Sequence, residues 1–580
     1  MLRSTYVVIF LVFCTWSVGC MDFANEPIVR VLLTPSKTIT QANVSAGGEM
    51  TLSAVLKSDQ VVQYRIWSLG NLAGIEATLR GPKGLIWEGS SLGTELRINA
   101  VRIAHSGQHD LTLSWIQGSG VANYRYRILS EGASPLVSKM QIELQQARIG
   151  HKAVAISESE VLIIGGSDED GTTPTASTEI VNTEEGSSSP SADMEESRTH
   201  HSATRIEDGP AGRIGDVFVA GGIGPQGDAL LTTEIFDHET GTFVGGPLMI
   251  EQRAFIQALY VAGVSGSESF LNGKIVMVGG ERTLNRPQFE ANGQQYKYIE
   301  VDENSPELYY YDPASDLIQS LPSMAQGRLL PSVSYLPNGW LVIMGGGVDS
   351  TPSAPGCDVD DESINCYCKS QGFHLCTQYL GEDGKDGFIN YTFKDRATNT
   401  VEIYDTNTAN LFQLNSKMHR ARLGHSAAVL PGGRVLVAGG STAARRSFKK
   451  NEKHLAEYPR AVDSVELFDP NMNDSSGNPG VFYLLAPLAF PREQHQSVVT
   501  KSGKAIIIGG LHEIPGGLSA IAAIGIYPGS EGAVTEVDVM KHARGGMAAT
   551  LMFDRLSVLV TGGIGATGPM DSAELLTFTE

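Results

Sequence analysis

Seven times the chain writes a short apolar run and ends it on two glycines. The copies are VLIIGG (161–166), VFVAGG (217–222), IVMVGG (275–280), LVIMGG (341–346), VLVAGG (435–440), AIIIGG (505–510) and VLVTGG (558–563). Four mostly aliphatic residues without polar alternation read as a strand buried on both faces. The glycines that follow permit positive φ or a close approach of another backbone.

The flanks repeat as well. An arginine precedes each pair: Arg148, Arg198, Arg253, Arg328, Arg422, Arg492 and Arg544. In five copies it lies 17 or 18 residues before the first glycine, and further in the second and third. Four residues before each arginine stands Leu144, Met194, Met249, Met324, Met418, Leu488 or Met540. Downstream come TEIVN, TEIFD, ELYYYD, VEIYD, VELFD, IGIYP and AELLTF, which read as half-buried strands. Strand-and-turn self-similarity at a period of roughly 50 residues indicates a propeller with one four-stranded sheet per repeat.

The apolar-run-then-Gly-Gly, the E-h-[YF]-D strand and the R-x-x-H lead-in resemble the kelch repeat over residues 136–580. The seventh copy stops after its third strand. The segment LVSKMQIELQQ (136–146) reads as the end of a repeat without its beginning, and is expected to supply the missing fourth strand. The fold class expected is therefore all-β: a seven-bladed kelch β-propeller over 135–580, preceded by a small β-sandwich over 21–134. The sandwich rests on eight short strand-like runs, from VRVLLTP to YRYRIL, separated by turn residues. It loosely resembles modules of secreted bacterial enzymes that bind carbohydrate or act as spacers.

Residues 1–20 read differently. Arg3 is followed by an apolar run at 6–18, too short to span a bilayer comfortably, and then by S-V-G-C ending at Cys20. This resembles a bacterial lipobox, with Gly19 fitting and Ser17 departing from the usual leucine. The resemblance implies cleavage and lipidation at Cys20, and Met21 after it implies the outer membrane; the alternative is plain secretion. Beyond that anchor no membrane contact is expected. Cys357, Cys366, Cys368 and Cys376 crowd one segment, and in an exported chain they read as two disulfides with three connectivities open. Their C-x8-C-x-C-x7-C spacing does not suit zinc.

At the position of His425 the copies read His151, His201, Ile256, Pro331, His425, His495 and Met547. A catalytic group would be singular, so these histidines read as architecture. The seven arginines are expected to pair with Glu179, Glu234, Glu307, Glu402, Glu466 and Glu574, because an unpaired buried charge is costly. The sixth repeat has Gly525 at the glutamate position, which leaves Arg492 needing another partner.

Galactose oxidase and its relatives resemble this architecture, but their copper site needs tyrosine and histidine ligands and a C-terminal domain. No Tyr-His pair stands at a repeat lead-in here; the nearest is Gln494-His495. No P-loop, G-x-S-x-G or H-E-x-x-H occurs. The expectation is a non-catalytic protein with no cofactor and no metal. A net charge of −21 from 64 acidic and 43 basic residues argues against general nucleic-acid binding.

Function is expected on the long insertions after the glycine pairs, since recognition commonly sits on loops carried by a rigid scaffold. The fourth repeat carries residues 347–397, with the cysteines and an acidic cluster including Asp358, Asp360, Asp361 and Glu362. The fifth carries a basic run including Arg445, Arg446, Lys449 and Lys450. The third carries 282–304. The expected role is a cell-envelope binding scaffold for an envelope or extracellular protein, with carbohydrate recognition or an enzyme of unrecognised type as alternatives.

Overall fold

In a computed structural model, the chain is described over residues 29–579. The exceptions are 33–39, 71–72, 92–94, 131–135, 169–172, 264–268, 285–288, 292–293, 297–300, 349–374, 381–386, 446–460, 515–516, 529–533 and the single positions 209, 211, 393 and 522. The described residues form strands and turns with no helix. Multiple four-stranded antiparallel sheets make it an all-β arrangement consistent with a β-propeller.

Each glycine-pair run is the second strand of such a sheet. In the fifth repeat Val435–Ala438 pairs with Ser426–Val429 on one side and Val465–Asn473 on the other, and Pro479–Leu484 closes the outer edge. The run is apolar throughout because it is covered on both faces: Val435, Leu436, Val437 and Ala438 are all buried. Alternate residues face opposite neighbours, so Val435 and Val437 join a core with Val342 and Met344 of the fourth repeat, while Leu436 and Ala438 join one with Ala505 and Ile507 of the sixth.

The first strands contact one another in sequence, from Lys152–Ala155 through Ser202–Arg205, Gln257–Val261, Ser332–Tyr335, Ser426–Val429 and Gln496–Val499 to Ala548–Leu551, which returns to Lys152–Ala155. Leu136–Glu143 pairs antiparallel with Ser572–Phe578, placing Met140 opposite Leu575 and Ile142 opposite Ala573. The last repeat thus takes its outer strand from residues far upstream, and Ser572–Phe578 is paired on both sides.

Residues 29–130 form two sheets. Val29–Leu32, Glu49–Leu56, Gly107–Gln117, Ala73–Gly81 and Gly84–Ser91 make one, and Thr40–Ser45, Ser119–Ser130, Val61–Gly70 and Glu95–Arg102 the other. Both contribute to one core, which includes Leu52, Leu79 and Trp115 from the first and Tyr64, Ile98 and Tyr124 from the second. Nine strands are present among the described residues where eight were expected. The extra one, TQANVS, is too polar to show in the hydropathy pattern, yet its backbone pairs with Ser119–Ser130.

This N-terminal unit docks on the sixth repeat. Val61 packs with Phe490 and Ile521, and Asp538 forms an ion pair with Arg102 of this unit, Nε at 3.2 Å, while accepting Lys139 Nζ of the strand Leu136–Glu143 at 2.8 Å.

Candidate functional face

Every repeat enters its first strand through the same turn. The residue before the histidine position has positive φ in all seven: Gly150, His200, Phe255, Leu330, Gly424, Gln494 and Gly546, from 49° to 66°. Only glycine adopts this conformation without strain, so the four side chains are held there by their surroundings. Part of that hold is a set of backbone bonds between neighbouring repeats, from His200 N–H to Gly150 C=O at 2.8 Å and from Phe255 N–H to His200 C=O at 2.9 Å.

The arginines tie this turn to the glycine pairs. Each guanidinium donates to the carbonyl of the first glycine of its own repeat, from 2.6 Å for Arg328 to 3.2 Å for Arg492. The second glycine then donates its N–H to the arginine carbonyl of the next repeat at 2.8–3.0 Å in all seven. An added Cβ on the first glycine would lie 2.3–2.6 Å from that same carbonyl, so no larger residue fits. The Leu or Met four residues before the arginine packs beneath: Met418 Cε would meet a Cβ on Gly345 at 3.0 Å.

Five of the expected ion pairs are present: Arg148 with Glu179, Arg198 with Glu234, Arg328 with Glu402, Arg422 with Glu466 and Arg544 with Glu574. Each carboxylate also accepts a backbone N–H from the loop ahead of its arginine, as Glu466 does from His419 and Arg420. Burial lowers the pKa of Arg422 and Glu466 opposes the shift.

The third repeat differs from expectation. Glu307 stands two residues ahead of the glutamate register, where Met277 faces Tyr309, and it accepts Ser323 instead. Arg253 stacks over the Tyr309 ring at 4.4 Å and takes its carboxylate from Glu251 at 2.5 Å. In the sixth repeat Gly525 does face Ile507. Arg492 is fully buried, bonds the Gly509 carbonyl and lies 5.8 Å from the Phe490 ring, so it belongs beneath the face and not on it.

The histidines are structural in three repeats. His425 Nε2 lies 2.8 Å from Ser332 Oγ, His495 Nε2 2.9 Å from Ser426 Oγ, and His151 Nε2 2.8 Å from Thr561 Oγ1, each bridging to the preceding repeat. Burial pushes His151 and His495 down to about 3, with the neighbouring arginines adding to the shift. His201 is buried alike, but neither ring nitrogen has a hydrogen-bond partner.

The first strands keep partial solvent access while the second strands are closed to it; Ala548–Leu551 is half-buried at every residue. His200 and Phe255 have ring centroids 4.4 Å apart, and Lys152 opens the first strand two residues after Gly150.

The insertions leave from this same face, because they follow the glycine pairs. Gly347–Val348, Lys394–Ala397 and Ala443–Arg445 form one three-stranded sheet, with Gly347 opposite Ala397 and Lys394 opposite Arg445. The bases of the acidic and basic insertions are thus joined. The third insertion leaves through Glu281–Leu284 paired with Val301–Asn304, and Asn304 Nδ2 donates to the Gly347 carbonyl at 3.3 Å. Gln294–Tyr296 contacts Gly387–Thr392 of the fourth insertion. Cys376 lies in the strand Leu375–Leu380 and Arg445 in Ala443–Arg445. Cys20, Cys357, Cys366, Cys368, Asp358, Asp360, Asp361, Glu362, Arg446, Lys449 and Lys450 lie outside the described residues.

Among the described residues, metal-ligating side chains gather at Asp216, Asp237 and His238. These stand at the opposite end of the second repeat's sheet, and Asp216 is already engaged by His238 Nδ1 at 3.1 Å and Arg213 at 3.5 Å.

No family profile matches the chain, and no curated protein matches it. Among solved structures it is similar to that of YjhT, 13% identical over 77% of this chain and 95% of that one, with a TM-score of 0.37.

Proposed function

We propose that this chain is a seven-bladed kelch propeller carrying an N-terminal β-sandwich, and that it serves as a non-catalytic binding scaffold at the cell envelope. The closed sequence of first-strand contacts supports the blade count, and the core shared by two N-terminal sheets supports the sandwich. Export and lipid attachment at Cys20 complete the reading, with the outer membrane as the site.

The observation that carries the functional reading is the sheet that joins the bases of the fourth and fifth insertions. Two long loops of opposite charge, with a third beside them, share one rigid base. The partner is an envelope or extracellular protein that meets this composite surface.

Gly347 and Ala397 face each other across the insertion base, so a short glycine link can replace 348–396 without moving the scaffold. Crosslinking from envelope extract is expected to recover a specific protein with the intact chain and lose it with the shortened one. Equal recovery by both would reject the insertion face. The anchor is tested separately: Cys20→Ser is expected to abolish palmitate labelling and release the protein from membranes.

A further inference from the structure

In the fifth and sixth repeats, the buried histidine bonds the serine that follows the histidine position of the preceding repeat: His425 to Ser332 and His495 to Ser426. In the first repeat, the corresponding position in the seventh is Ala548, and Thr561, just before the glycine pair, supplies the hydroxyl instead. His201 has neither source. Ile164 stands at the threonine position, and the serine position is Lys152. Both ring nitrogens of His201 are unpartnered at 1% exposure. A neutral imidazole carries one donor and one acceptor, and burying them unmet is costly.

Lys152 is itself unmatched. Among the described residues its ammonium has no hydrogen-bond partner and no carboxylate, though the residue keeps partial solvent access. The groups that act electrostatically on His201 are all basic: Arg198, Lys152, His151 and His200. Arg198 is neutralised by Glu234, whereas Lys152 is not. Burial lowers the pKa of Lys152, the response of a cation that lacks a counter-charge. Burial likewise pushes His200 down to about 4, so at neutral pH its imidazole is uncharged.

We propose that Lys152, His200 and His201 form a site for a small oxyanion where the first and second repeats meet. The ammonium supplies the charge, and His201, with Nε2 of His200 whose Nδ1 already meets Thr199 Oγ1 at 3.1 Å, supplies hydrogen-bond donors to an oxyanion of the carboxylate or phosphate type. This site is distinct from the insertion surface, and its failure would leave the scaffold reading untouched.

Lys152→Ser is the deciding variant, because it recreates the serine that bonds the buried histidine elsewhere. The full chain is titrated calorimetrically with inorganic phosphate and, separately, acetate, in chloride at fixed ionic strength. Saturable one-to-one binding of at least one probe is expected, weakened about tenfold or more by Lys152→Ser, a loss of about 1.4 kcal/mol, while the unfolding midpoint without anion is unchanged or raised. The tighter probe identifies a phosphoryl or a carboxylate ligand. Acetic anhydride labelling of Lys152 in the unaltered chain, read by mass spectrometry, is expected to fall as the same probe is added, and this decides the matter if the variant does not fold. No saturable binding of either probe, undiminished binding by Lys152→Ser, or labelling indifferent to the probe would overturn the proposal.

Discussion

The amide of Gly563 donates to the carbonyl of Arg148 at 2.9 Å, across 415 residues of sequence. The same bond links every other repeat to its successor, so the last repeat is fastened to the first by the device used throughout. The glycine pair is thus a joint between sheets.

That role makes a quantitative distinction between glycines. Gly562 has φ +54°, and a Cβ there would lie 2.6 Å from the Arg148 carbonyl. Gly432 has φ +84° with nothing within 4 Å. Gly562→Ala should cost about 2–5 kcal/mol from backbone strain and overpacking, and Gly432→Ala about 1–2 kcal/mol from strain alone. Chemical denaturation of the two variants checks this; equal losses would mean that the contact is not what demands glycine.

The Arg422–Glu466 pair is completely buried, at 2.6 Å. Glu466→Leu strands a guanidinium in the interior and should cost about 3–5 kcal/mol. The double variant Arg422→Met, Glu466→Leu should be less destabilised than Glu466→Leu alone, since no charge remains without its partner. A double-mutant cycle in urea measures the difference.

The buried histidines give stability a pH dependence of definite sign. His151 and His495 are held at about 3 and His200 at about 4, with His201 and His425 well below their usual value, all chiefly by burial. The unfolded chain, with histidines near 6.5, then binds more protons below that pH. Stability is full above about pH 6.5 and falls as pH drops toward the folded values, by up to about 1.4 kcal/mol per pH unit for each histidine. His425→Met places the residue found at Met547, and should lessen the slope between pH 7 and 5 by one proton. Unfolding midpoints across that range test it.

Asp538 joins the N-terminal unit, through Arg102, to the outer strand of the last repeat, through Lys139, while itself only 4% exposed. Asp538→Ala leaves two cations at that contact and should cost about 1–3 kcal/mol locally. Hydrogen exchange is expected to quicken in Glu95–Arg102 and Thr535–Val539 and to stay unchanged in Val435–Ala438. A uniform increase would place the effect on the whole fold.

Much of this was legible because the repeat supplies its own controls. The apolar runs named the second strands, and the arginine register named five of its carboxylates. Glu307 misled because the third repeat shifts its acid by two residues, and alignment on the letter E hid Tyr309 at the true position. Arg253 then draws on Glu251, two residues ahead of it, where the second repeat has Glu196 only as a second carboxylate 3.7 Å from Arg198. Lys152 was visible in the aligned copies, opposite Ser332 and Ser426, but its meaning depends on the histidine of the next repeat. That is a relation between sheets, and a single-repeat pattern does not contain it. Thr40–Ser45 was silent for a simpler reason: an edge strand held by backbone bonds needs no apolar code.

The pairing of Leu136–Glu143 with Ser572–Phe578 also sets an order of events. The outer strand is made early and must wait for a partner synthesised more than 400 residues later. Until Phe578 is available, the first and seventh sheets cannot be sealed, and the growing chain offers an unsatisfied strand at its leading end. Contacts this distant in sequence slow folding. Closure of the ring therefore waits on residues 572–578, and every sheet between them and the outer strand can form before the seal does.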